Sequence, residues 1–248
     1  MNLLVNGCSF TAGSTMQGKV SWLWPNVSED TFSQVQNIAK AGGSNDRILR
    51  TTLQYCNNNN MDDTLVIIQW TSFFRHEYYS SRHGWMNITC NVTEDNFSQL
   101  SNQTDKTKNY VSIEDENGNN IENKHIQDAL NNEMLYLNSI NDYNIRYLKN
   151  VLTLQYYLNK NNIKYMFTSM NENEHINLGL DAVYTKKNSV TPLEAQLKMS
   201  VDQTKWSKQS LQTYMGENYI SQNDRHPNEI GNKLIAQALF GELMEKHG

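Results

Sequence analysis

The chain is poor in residues that cross-link or punctuate a fold. Its three cysteines, Cys8, Cys56 and Cys90, are too few for a disulfide framework and fit a reducing compartment. Its three prolines leave no proline-rich linker. No apolar run approaches the ~20 residues that span a membrane, and no basic-then-apolar leader follows Met1. A cytoplasmic protein without a membrane partner is therefore expected. Lysine and arginine (21) are outnumbered by aspartate and glutamate (26), for a net charge of −5. That balance offers no basic field for nucleic acid. Gly-x-Gly-x-x-Gly and P-loop motifs are absent, so no nucleotide cofactor is indicated. His76, His83, His125 and His175 lie at no metal-ligand spacing, and there is no Cys-x-x-Cys. Neither a metal nor another cofactor is expected.

The polarity that is present comes largely from asparagine, as in Asn57 to Asn60. Mean hydropathy is −0.69. A length of 248 residues suits one α/β domain, residues 1–248, with insertions at about 78–131 and 171–222. Leu3-Leu4-Val5 reads as a buried strand that breaks at Asn6-Gly7 and delivers Cys8-Ser9 at its end. Phe32 to Ala39 predicts a second strand, followed by the turn Lys40-Ala41-Gly42-Gly43 and a helix from Ser44 or Asn45 to about Cys56. In that helix Ile48, Leu49 and Leu53 point inward. Leu65 to Ile68 is the clearest buried strand and reads as central.

From Arg75 to Asn131 no period is sustained. The segment reads as an insertion over the face that bears the site, with a hairpin at Tyr110 to Ile121 turning on Asn117-Gly118. Tyr78, Tyr79, Trp85, Phe97 and Tyr110 are its expected anchors. Leu130 to Asn159 is helical with a break near Asn141-Asp142, and Ile163 to Thr168 is a fourth strand. A short helix is predicted at Pro192 to Met199. A closing helix at Pro227 to Lys246 has His226 as its N-cap and an inward stripe of Leu234, Ile235, Ala238, Leu239 and Leu243. Strands alternating with helices predict a parallel sheet covered on both faces.

In such sheets chemistry sits at the carboxyl ends of the strands. Ser9 stands there as a candidate nucleophile. Asp224 and His226, just before the last helix, supply a carboxylate and an imidazole to activate it. Cys8 is a competing nucleophile or a small buried filler, and Asn223 is the alternative orienting group.

Taken together, GCSFTAG and DRHPN resemble the serine and acid–base blocks of the SGNH (GDSL-type) hydrolases. That resemblance implies a three-layer α/β/α sandwich with a flavodoxin-like parallel sheet and a catalytic set of Ser9, Asp224 and His226. Asn37 to Gly42 matches the family's Asn-x-x-x-x-Gly block, which implies an oxyanion hole formed by Ser9 and Gly42. Trp70-Thr71-Ser72-Phe73 replaces its Gly-x-Asn-Asp block. Ser72 aligns with the third donor, and Thr71 or Asn45 are substitutes. WTSFFRHE resembles a variant of this block in small GDSL-like bacteriophage proteins, with Asn45, Trp70 and Arg75 as substrate-binding candidates. Arg75 pairing with Glu77 is the structural alternative. The resemblance implies a serine esterase acting on a small-molecule or glycan ester, such as an O-acetyl group on a carbohydrate. An acyltransferase with the same residues and a non-catalytic carbohydrate-binding relative are the alternatives.

Overall fold

The computed structural model describes residues 1–13, 23–25, 31–90, 111–136, 140–171 and 191–247. Four parallel strands form the main sheet, in the order β2-β1-β3-β7. They are β1 (Asn2–Asn6), β2 (Gln34–Asn37), β3 (Thr64–Trp70) and β7 (Lys164–Ser169). All seven residues of β3 are buried because β1 and β7 flank it and helices cover both faces. This is why its sequence is a continuous apolar run and does not alternate.

Strand alternation divides the core in two. Leu4, Val66, Ile68, Tyr165 and Phe167 face α2 (Asn45–Asn58) and α4 (Ile140–Lys160). Leu3, Val5, Leu65, Ile67 and Met166 face the other way. They meet α1 (Ser9–Ala12), α6 (Leu211–Met215) and α7 (Glu229–His247). The result is a three-layer α/β/α sandwich. Ser44 caps α2, its hydroxyl accepting from Arg47 N at 3.2 Å.

The expected insertion holds more than the predicted hairpin: it contains an antiparallel sheet, β4-β5-β6. Its strands are β4 (Arg75–Ser80), β5 (Gly84–Cys90) and β6 (Val111–Glu114). The turn at Asn117-Gly118 is present, closed by Gly118 N donating to Asp115 O, but it follows β6 as part of this larger sheet. The register sorts the strands into two faces. His76, Ile88 and Ile113 stand opposite one another and join the core cluster or its margin. On the reverse face stand Glu77, Asn87 and Glu114. Among the expected anchors Tyr78 is half-buried, while Tyr79 is exposed and packs edge-on against Trp85. Phe97 and Tyr110 lie outside the described residues.

Three boundaries differ from expectation. The long helix is divided as expected, but before Ile140 and not at Asn141-Asp142, into α3 (Lys124–Tyr136) and α4, the first starting six residues before Leu130. Helix α5 (Pro192–Met199) has the predicted bounds. The closing helix starts at Glu229, two residues after Pro227, because Pro227 bridges Tyr219 and Asn228 takes the cap. Asn228 Oδ1 accepts from Gly231 N at 2.9 Å, which leaves His226 outside the helix. Leu234 is exposed, and Ala236 is buried in its place.

Candidate active site

The turn after β1 is fixed from below by two buried amides. Asn6 donates to Ile48 O, Thr51 Oγ1 and Thr52 Oγ1, and its Oδ1 accepts from Gly7 N. Gln69, on the neighbouring strand, accepts from Cys8 N at 2.9 Å and from Thr11 Oγ1 at 3.1 Å while donating to Trp70 O at 2.7 Å. Gly7 is required between them. A Cβ there would stand 2.6 Å from Gln69 Oε1, inside van der Waals contact. The chain then turns into α1, and Ser9 opens that helix with its N–H in the first turn, where no intrahelical acceptor exists. Cys8 is fully buried, its Sγ 3.8 Å from Met170 Sδ, as a small core filler.

The second component comes from the loop before α7. Ser221 and Asp224 exchange backbone hydrogen bonds, and Ile220 N donates to His226 O at 2.9 Å, so the loop is a tight, closed turn. Within it Asp224 Oδ1 accepts from His226 N at 3.1 Å and meets His226 Nδ1 at 2.5 Å. The two-residue spacing produces this double contact, since an aspartate side chain readily caps the N–H two positions on. These contacts hold the Asp224 carboxyl below its ordinary value, the side-chain bond to His226 contributing most. His226 Nε2 lies 2.7 Å from Ser9 Oγ, and Phe10 packs beside the ring at 5.2 Å. Ser9, His226 and Asp224 thus form one hydrogen-bonded chain. Asn223 is exposed.

Gly42 sits in the turn after β2 with φ +68°, a left-handed conformation that favours glycine. The turn is held to the serine segment, Lys40 N donating to Gly7 O at 3.2 Å. Asn37 donates to Thr11 O at 2.8 Å and so ties β2 to α1. Asn87 of β5 donates to Gly42 O. Ser72 follows β3, and its Oγ accepts from Phe74 N at 3.3 Å, leaving the hydroxyl proton for another acceptor.

Two expected substrate contacts are displaced. The Asn45 side chain is buried and committed, donating to Thr71 O at 2.9 Å and accepting from Thr71 N at 2.9 Å. It shapes the β3 exit and does not face a ligand. Trp70 is fully buried in the core, edge-on to Tyr147 and Phe167. Its position in a two-face-buried strand explains this, because every side chain there packs against a helix layer. Arg75 donates to Thr71 Oγ1 at 3.1 Å. Its expected partner, Glu77, is instead taken by Arg50 through two bonds of 2.8 Å. Gln69 and Asn6 escaped sequence reading. Their only signal was a polar side chain terminating an otherwise apolar strand.

Among the described residues no group of three His, Cys, Asp or Glu stands close enough to hold a metal. No described helix is long and apolar enough to cross a membrane.

No protein-family model and no curated protein matches the chain. Solved structures do. The crystal structure of TesA matches with a TM-score of 0.51 at 10% identity, covering 99% of each chain. The psychrotrophic esterase EstA from Pseudoalteromonas sp. matches at 0.47 and 11% identity, over 98% of this chain and 97% of that one. A member of the lipolytic G-D-S-L family from Veillonella parvula matches at 0.44 and 14%, over 97% of each. The likeness to TesA at this identity shows the fold. The three-layer α/β/α sandwich expected from the sequence is the fold of this chain, and TesA shares it.

Proposed function

We propose that the chain is a serine esterase that cleaves an ester through an acyl-serine intermediate. The observation that carries this is the chain Ser9 Oγ–His226–Asp224, with contacts of 2.7 and 2.5 Å at the carboxyl edge of the parallel sheet. Ser9 Oγ attacks the ester carbonyl as His226 Nε2 takes its proton. Asp224, fixed by its own turn, holds the other ring nitrogen and stabilises the imidazolium. The oxyanion of the tetrahedral intermediate is met by the N–H groups of Ser9 and Gly42, with the Ser72 hydroxyl as the third donor. Collapse expels the alcohol, which leaves with the proton from His226. Water then repeats the sequence, His226 acting as base, and the acid is released.

A short acyl group on a carbohydrate fits the polar side chains gathered near this edge, Asn37, Asn87 and Glu114 among them. Gly42 brings two of these together: a Cβ on it would lie 3.5 Å from Glu114 Oε2 and 3.7 Å from Asn87 Nδ2.

Labelling with a fluorophosphonate followed by peptide mapping tests the reading. The label is expected on Ser9 and to disappear in His226→Ala. Labelling of Cys8, or none on the folded chain, overturns it.

A further inference from the structure

Beside the Gly42 turn lies a second cavity, of about 310 Å³, between α2 and the polar face of the antiparallel sheet. Its lining includes the cations Lys40, Arg47 and Arg50 and the carboxylates Glu77, Asp115 and Glu116, with Trp85 and Asn87 beside them. Most of its charges are matched. Glu77 is held by Arg50 in a two-bond pair, and Glu116 reaches the same guanidinium at 3.4 Å. The Asp115 carboxylate is taken by Asn117 N, Asn119 N and Asn119 Nδ2 within its own turn.

Two cations are left over. Lys40 Nζ donates to the backbone carbonyls of Asp115 and Glu116. Among the described residues the Arg47 guanidinium reaches Ile38 O alone, at 3.4 and 3.5 Å. Among the described residues neither has a carboxylate at ion-pairing distance. Burial lowers the pKa of both, and neighbouring cations add to it: Arg47 acts on Lys40, and Arg50 on Arg47. The carboxylates around them offset only part of that. A half-buried guanidinium with an unfilled fork, next to an ammonium, is the arrangement that a bidentate oxyanion completes.

We infer that this cavity binds an acidic group, a carboxylate or a phosphate, carried by the alcohol half of the ester. The anion site stands on the cavity alone; its coupling to an ester rests on the esterase reading. Arg47 and Lys40 are its ligands, and Trp85 supplies a flat wall for a ring. The cavity is joined to the reaction centre through one turn. Lys40 lies two residues before Gly42 and is bonded to Gly7, and the cavity residue Asn87 donates to Gly42 O. A substrate anchored here presents its acyl group to Ser9 at short range. An acylated acidic sugar meets that requirement.

Calorimetric titration of the full chain carrying Ser9→Ala tests this, with inorganic phosphate, galacturonate and uncharged galactose as probes. At least one anion binds, and galactose binds at least about tenfold more weakly, the usual worth of a charge-assisted hydrogen bond. Adding Arg47→Met weakens the anion about tenfold or more, and Arg47→Lys weakens it less. Preference for phosphate or for galacturonate identifies the acidic group. If Arg47→Met does not fold, Lys40→Met takes its place. Absence of binding by both anions, or binding indifferent to Arg47→Met and Lys40→Met, overturns the inference.

In the active chain, Arg47→Met lowers kcat/KM for acetylated galacturonate or an acetylated sugar phosphate at least tenfold more than for acetylated galactose. The two readings fail separately. Anion binding through Arg47 in a chain that hydrolyses no ester removes the esterase reading and leaves the site. Hydrolysis of neutral esters with no anion bound removes the site alone.

Discussion

The two sheets solve the same burial problem by opposite means. The parallel sheet is apolar on both faces, and β3 is shielded by α4 on one side and α7 on the other. The antiparallel sheet is apolar on one face only. Its Ile88, Val111 and Ile113 join the main core, while its other face is closed by Arg50–Glu77 and by Asn87 reaching Gly42. Glu77 and Asn87 are as well buried as many core side chains; the Arg50 pair accounts for Glu77, and Asn87 donates its amide to Gly42 O. The first sheet therefore makes the framework that carries Ser9. The second makes a wall whose chemistry can change while the framework stays put.

The largest effect that separates the two is catalytic. Ser9→Ala, on the parallel sheet, is expected to lower kcat by about 10⁴- to 10⁶-fold with the thermal midpoint unchanged. Steady-state kinetics beside a melting curve checks both halves of that statement.

Next comes framework stability. Ile67→Ala, in the middle of β3, should cost about 2–5 kcal/mol in urea unfolding. Ile113→Ala in the antiparallel sheet should fall in the same range, because it belongs to the same core. Hydrogen exchange should then quicken in β1 as well as β6. Quickening confined to β4–β6 would show that the wall opens on its own.

Glu77→Gln follows, at about 1.5–3 kcal/mol, since it removes the closer of the two carboxylates that hold Arg50. The double change Glu77→Leu with Arg50→Met should recover part of that loss. No recovery would mean the pair contributes nothing beyond its packing.

The smallest effect is a slope with pH. His76 is buried on β4, stacked on Tyr143 at 4.7 Å, with no hydrogen-bond partner for either ring nitrogen among the described residues. Asp46 Oδ2 is 4.0 Å from Nδ1, and burial, aided by Arg146, outweighs it and lowers the histidine to about 3 from 6.5. The unfolded chain takes up this proton below pH 6.5 and the folded chain does not until about 3. Stability therefore falls as pH falls through that window, by at most about 1.4 kcal/mol per pH unit. His76→Phe should remove that part of the slope. Parallel curves for the two chains would refute the assignment.

What could be read in advance follows the same division. LLV, LVII and YMF announce strands because burial on both faces demands continuous apolar runs. RHEYYS and GWMNITC do not, because His76, Glu77 and Asn87 are polar yet buried, Glu77 being matched by Arg50 of α2. Ser9, Asp224 and His226 stood out by residue type and position, and the structure brings them together. Trp70 and Asn45 were misread for a physical reason: at the end of a strand or the start of a helix, sequence does not say whether a side chain faces the cleft or the core. Gln69 was invisible for the converse reason, a polar residue inside an apolar run whose partners, Cys8 N and Thr11 Oγ1, are supplied by the turn after β1 and by α1.

Ser9 and His226 are separated by 217 positions, and the hydrogen bond between them spans almost the entire chain. During translation Ser9 emerges from the ribosome long before His226. A nascent chain can pair β1 with β3 and bury most of its framework while still unable to activate its serine. On the esterase reading, joining Ser9 to His226 waits on the loop before α7, and recovery of activity should trail recovery of secondary structure when the unfolded chain is returned to native conditions.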